Sequence, residues 1–88
     1  MKNWVLYILS CKDGSLYTGI TDDLERRLAQ HRSGKGAKYT RGRSPLTLVY
    51  QELCPSHSDA LKREYYVKRL KRAEKQKLIE TYNKPAAK

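Results

Sequence analysis

Apolar positions follow two different periods along this chain. Residues 4–10 (WVLYILS) are apolar or aromatic on both alternating sets, the pattern of a strand covered on both faces. Residues 15–20 (SLYTGI) make a second strand-like run, and Asp13-Gly14 between the two is a hairpin signal. The loop length decides which side chains meet. A two-residue loop pairs Lys12 with Ser15 and sends Tyr7 and Tyr17 to opposite faces. A three-residue loop, with Gly14 left-handed, pairs Cys11 with Ser15 and places Tyr7, Leu9, Tyr17 and Gly19 on one face. Local sequence allows both; a shared site requires the second.

The period then changes. Asp22, with Glu25 three residues on, predicts a capped helix whose apolar stripe is Leu24 and Leu28. At about 100° per residue, Arg27 and His31 lie about 60° and 20° to one side of Leu24, and Arg26 points about 160° away. Arg27 and His31 therefore border the buried face, and Arg26 is the solvated arginine. Residues 32–45 form a glycine-rich basic loop without an acid, and 46–53 make a third strand stopped by Pro55. Ser58 predicts the cap of a helix running to about Leu70. A further helix is expected over 73–82, after a break near Lys71-Arg72. The pattern reads as one domain over residues 1–83 with a frayed tail at 84–88.

Charge narrows the partners. Nineteen Lys and Arg against nine Asp and Glu give the 88-residue chain a net charge of +10, which favours a polyanion, and seven tyrosines add stacking surfaces. Lys35, Lys38, Tyr39, Arg41, Arg43 and Lys68 are the candidate nucleic-acid contacts. No apolar run approaches the roughly 18 residues that span a bilayer, and the start, Met1-Lys2-Asn3-Trp4, has no signal-peptide layout, so no membrane role and a cytoplasmic setting are expected. Cys11 and Cys54 are too few for a disulfide framework or a zinc site and are expected to be buried, reduced thiols. His57, between Pro55 and the helix cap, reads as surface.

The chemistry-bearing residues fall in a definite order. Tyr7 in Val5-Leu6-Tyr7 is followed by Tyr17-Thr18-Gly19, then Arg27, then His31, and far downstream a lone Glu64 in a basic, aromatic helix. Singly, each has an ordinary reading: strand tyrosines, a surface arginine, a structural histidine, and a glutamate paired with Lys68 at i, i+4. Gly19 two residues after Tyr17 removes a side chain where something else approaches closely. Together the set resembles the GIY-YIG nuclease superfamily, with Val-Leu-Tyr for Gly-Ile-Tyr and Tyr-Thr-Gly for Tyr-Ile-Gly. The likeness is greatest to small free-standing bacterial YhbQ-like members and to the nuclease domain of Slx-type structure-selective endonucleases.

The resemblance implies an α+β fold, a three-stranded antiparallel sheet flanked by helices, and Mg²⁺- or Mn²⁺-dependent hydrolysis of DNA phosphodiesters. It marks Tyr7, Tyr17, Arg27, His31 and Glu64 as the catalytic set and Glu64 as the metal ligand. Tyr7 is then the expected general base, assisted by Tyr17. Arg27 would stabilise phosphorane charge, and His31 would position Tyr7 or the water, or itself serve as base. The implied substrate is branched, nicked or single-stranded DNA in repair or recombination, with room for a protein partner that supplies specificity. The competing expectation is a non-catalytic nucleic-acid-binding module of the same fold.

Overall fold

Lys12, Asp13 and Gly14 close a three-residue hairpin loop in the computed structural model, which describes residues 3–35, 42 and 45–83. The loop joins β1 (Trp4–Ser10) to β2 (Leu16–Thr21). The Cys11 N–H donates to the Ser15 carbonyl at 2.9 Å, and the Gly14 N–H donates to the Cys11 carbonyl at 2.9 Å. Gly14 sits at φ 85°, the left-handed position this loop requires. Asp13 Oδ1 accepts from both the N–H and the hydroxyl of Ser15. The resulting register sets Tyr7 opposite Gly19 and Leu9 opposite Tyr17, so the two tyrosines share a face.

β3 (Thr47–Cys54) pairs antiparallel with the other side of β1, giving the order β2-β1-β3, with a register shift between Ile8 and Leu9. β1 is therefore the central strand, which is why both of its alternating sets are apolar. On one face Leu6 and Ile8 pack with Cys54, Ala60, Val67 and Ile79. On the other, Tyr7, Leu9, Cys11 and Leu46 pack against Tyr17, Leu24 and Leu28. Among the described residues the architecture is α+β, a three-stranded antiparallel sheet with three helices. Both cysteines are buried and free.

The helix starts correct the sequence reading by one or two residues. α1 (Leu24–Arg32) is capped by Asp23 rather than Asp22, with Asp23 Oδ1 accepting from the Arg26 N–H at 3.2 Å. The Thr21 hydroxyl accepts the Asp23 N–H at 3.1 Å, closing the preceding turn one residue later than expected. α2 (His57–Lys68) is capped by Ser56 rather than Ser58. Ser56 has Asp59 three residues on and bonds both its N–H and its carboxylate, whereas Ser58 would find Leu61 there. α3 (Arg72–Asn83) follows a break at residues 69–71, where Glu74 accepts the Lys71 N–H at 2.9 Å. His57 is not idle surface: its ring stacks on Trp4 with centroids 4.1 Å apart. Residues 84–88 lie outside the described residues, and no described helix is long and apolar enough to cross a membrane.

Candidate active site

Tyr7 reaches the site from the central strand, and Gly19 gives it room. A Cβ on Gly19 would meet the Tyr7 hydroxyl oxygen at 2.7 Å and Cζ at 2.8 Å, distances real contacts do not reach. The phenol ring thus lies directly over the Gly19 backbone, and Tyr7 is only 1% exposed. Its hydroxyl is 2.9 Å from His31 Nε2. His31 comes from the last turn of α1 and is equally buried. The Tyr17 ring meets His31 edge-on at 5.4 Å between centroids and lies 6.3 Å from Tyr7. Three rings from three elements therefore enclose one hydroxyl.

Arg27 lies one helical turn before His31, at the edge of the buried face of α1, with Nη1 donating to Gln30 Oε1 at 3.0 Å. Arg26 instead faces solvent, 3.9 Å from Asp23. The split between the two arginines follows the helical wheel. Glu64, on α2, has a side chain one-fifth exposed and an ion pair with Lys68 Nζ at 3.2 Å.

The electrostatics tie these groups to Tyr7. Burial pushes the Tyr7 hydroxyl up to about 12; hydrogen bonding from Arg27 opposes this, the neighbouring Tyr17 raises it, the charge of Arg27 lowers it and that of Glu64 raises it. Burial, and then the positive charge of Arg27, hold the His31 imidazole below its ordinary value. At neutral pH the pair is therefore a neutral phenol beside a neutral imidazole. Nε2 accepts the phenol proton in the tautomer that carries hydrogen on Nδ1.

Tyr7, Tyr17, Arg27 and His31 are thus brought together, and Glu64 stands within electrostatic reach. Lys35 is exposed just beyond the end of α1. Lys38, Tyr39, Arg41 and Arg43 lie outside the described residues. Among the described residues no three His, Cys, Asp or Glu side chains are grouped to hold a metal. Glu64 alone fits a hard divalent cation that keeps most of its waters and takes phosphate oxygens as further ligands. Sequence reading missed Gln30, which steadies Arg27. Its one signal was the i, i+3 spacing on the same helix face.

A family model described as the GIY-YIG catalytic domain matches residues 3–83, and the chain belongs to that family. It is a small GIY-YIG protein similar to the bacterial UPF0213 proteins: it is 53% identical over 79 residues to one from Staphylococcus saprophyticus, covering 90% of this chain and 96% of the relative. A UPF0213 protein of the archaeon Halobacterium salinarum is 52% identical over 74 residues, 84% of this chain and 96% of that one. The solution NMR structure of a UPF0213 protein from Bacillus halodurans superposes with a TM-score of 0.62 at 52% identity, covering 94% of this chain and 88% of that one. A solution NMR structure from E. faecalis gives 0.66 at 42% identity, with coverages of 93% and 88%.

Proposed function

We propose that the chain is a divalent-metal-dependent DNA endonuclease that hydrolyses phosphodiester bonds, selecting branched, nicked or single-stranded structures in repair or recombination. The observation that carries this reading is the Tyr7 hydroxyl, hydrogen-bonded to His31 Nε2 at 2.9 Å, subject to Arg27, and set over Gly19. Buried free thiols agree with a reducing, cytoplasmic setting.

In this reading Tyr7 takes a proton from the attacking water and passes its own to His31. Water approaches the enclosed hydroxyl from the side on which Arg27 and Glu64 act. Arg27, already held by Gln30, turns its remaining N–H groups to the phosphate and offsets charge on the pentavalent phosphorus. Tyr17 fixes the imidazole plane through its edge-on ring contact. Glu64 would hold Mg²⁺ or Mn²⁺, which when bound supplies charge neutralisation at the phosphate and the leaving 3′ oxygen. To free its carboxylate, Glu64 must release Lys68.

That ion pair supports the second reading, a nucleic-acid-binding module without cleavage, in which Glu64 stays with Lys68. The two part in one assay. The protein is incubated with supercoiled plasmid and with nicked, forked and single-stranded oligonucleotides, in Mg²⁺, Mn²⁺ or EDTA. Metal-dependent cuts that Glu64→Ala abolishes while binding persists support the nuclease. Binding without cuts on every structure supports the module.

A further inference from the structure

β2 is an edge strand, and a shallow basic trough runs along its outer side, bordered by the end of α2 and the start of α3. One hollow of about 230 Å³ is lined by Leu16, Tyr17, Thr18, Lys68 and Lys75. A second, of about 220 Å³, is lined by Ser15, Leu16, Arg72 and Lys75. Leu16 and Lys75 are common to both, so the two form one trough from Tyr17 towards the hairpin. Its length, from residue 15 to 18, is about 10 Å at roughly 3.3 Å per strand residue. Among the described residues no carboxylate lines it.

Its position follows from the chain. Lys68 ends α2, the break at 69–71 turns the backbone, and Arg72 and Lys75 share one face of α3 at i, i+3. Arg72 is anchored by donating to the Gly14 carbonyl at 2.7 Å. The Lys75 ammonium has no hydrogen bond or ion pair among the described residues. Thr18 supplies the independent observation. It is only 3% exposed, and its Oγ1 is buried with no hydrogen-bond partner among the described residues. A hydroxyl left so is costly unless it serves something that binds. Thr18 lies between Tyr17 and Gly19, one residue from the reacting centre.

We propose that this trough holds a backbone phosphate of the DNA strand on the flank of the phosphate cut at the tyrosine site. Lys75 and Lys68 supply the charge, and the Thr18 hydroxyl donates to a phosphate oxygen. The trough thereby fixes which way the strand leaves the site: along β2 towards the hairpin. This rests on the nuclease reading.

The test is fluorescence anisotropy of a fluorescein-labelled single-stranded oligonucleotide titrated with NaCl, in EDTA so that nothing is cut. Lys75→Ala should lower the slope of log K against log salt by about 0.7, the share of one phosphate contact on a single strand. Thr18→Val should leave that slope intact and weaken binding about threefold to tenfold, while its melting temperature stays level or rises because an unpaired buried hydroxyl is gone. Lys62→Ala, an exposed lysine of α2, is the charge-matched control. Equal slope changes at Lys62 and Lys75, or unaltered binding by Thr18→Val, overturn the proposal. With Mn²⁺ present, Lys75→Ala should raise KM and spare kcat. Wild-type protein that binds without cutting removes the nuclease reading, and the slope comparison still decides the trough. Wild-type protein with no salt-sensitive binding sinks both.

Discussion

Replacing Gly19 by alanine tests the site with a single methyl group. The new carbon would stand 2.8 Å from Tyr7 Cζ, about 0.7 Å short of the lower end of the carbon–carbon optimum near 3.5 Å. It would also stand 2.7 Å from the Tyr7 hydroxyl and 3.1 Å from Tyr17 Cε2, so the buried Tyr7 ring has to give way. A retreat of that size rivals the margin between the 2.9 Å Tyr7–His31 bond and the ~3.6 Å at which such a bond no longer exists. Overpacking should cost about 1–3 kcal/mol, read as a lower urea midpoint with an unchanged slope. Cleavage should fall by roughly a hundredfold, the effect of about 1 Å of misplacement at a reacting group. Gly14→Ala is the matched control. It forces an alanine to φ 85° with nothing within 4 Å of the new Cβ, costing about 1–2 kcal/mol by backbone strain alone. Gly14→Ala should thus be destabilised to a similar degree and still cut at the wild-type rate under conditions where it is folded. A Gly19→Ala protein with normal cleavage, or equal losses in both variants, would refute the claim that Gly19 places the Tyr7 hydroxyl.

Tyr7→Phe keeps the ring, and should fold yet lose about 10²–10⁴ of the cleavage rate; if Tyr17→Phe is the variant that collapses and Tyr7→Phe cuts normally, the base is Tyr17. Adding His31→Ala to Tyr7→Phe should cost no more than Tyr7→Phe alone, since both act on one proton; additive losses would separate them. Arg27→Ala should cut more than tenfold more slowly while Arg26→Ala, exposed beside Asp23, loses only mild affinity, and equal effects would reduce both to general charge. Stability should also depend on pH from both sides. Because His31 is held below its ordinary 6.5, its contribution is present above that value and is lost as pH falls through the folded pKa. Because Tyr7 is raised from 10.0 to about 12, a contribution on the order of 2 kcal/mol is present below pH 10 and is lost between 10 and 12. Urea midpoints across pH should show both limbs, and Tyr7→Phe should flatten the alkaline one relative to wild type.

The strands were legible because alternation and turn chemistry agree: β1 reads apolar on both sets because it is central, and Asp13-Gly14 marks the loop. The loop length was not legible locally. Gly14 suits either version, and the choice is made by long-range packing of Tyr7 over Gly19 and of Leu9 beside Tyr17. The first cap was displaced because the Thr21 hydroxyl holds the Asp23 N–H, and the second because Ser56 has Asp59 three residues on where Ser58 has Leu61. Of the site, the wheel placed Arg27 and His31 correctly at the buried edge. The Gln30 brace, the Trp4–His57 stack and the orphaned Thr18 hydroxyl have no one-dimensional signal, because each depends on where a second element packs.

The burial that makes Tyr7 a poor acid also explains why His31 must be its partner. Alone, a phenolate in this cavity forms only near pH 12, and an imidazolium alone is opposed by both burial and Arg27. Moving the proton across the 2.9 Å bond creates both ions at once, with no change in net charge. Their mutual attraction at that distance, in a medium poorer in water than the surface, offsets much of what burial charges each separately. The pair therefore titrates as a unit and has no reason to ionise at rest. Arg27 acts on both partners in opposite senses. In the free protein its charge stabilises a phenolate and opposes the imidazolium. Under the proposed function, a phosphate against the guanidinium would weaken both influences together, and burial stays the main opposition to each ion. In that reading, a buried tyrosine, a depressed histidine and one arginine shared between them hold the pair neutral at rest.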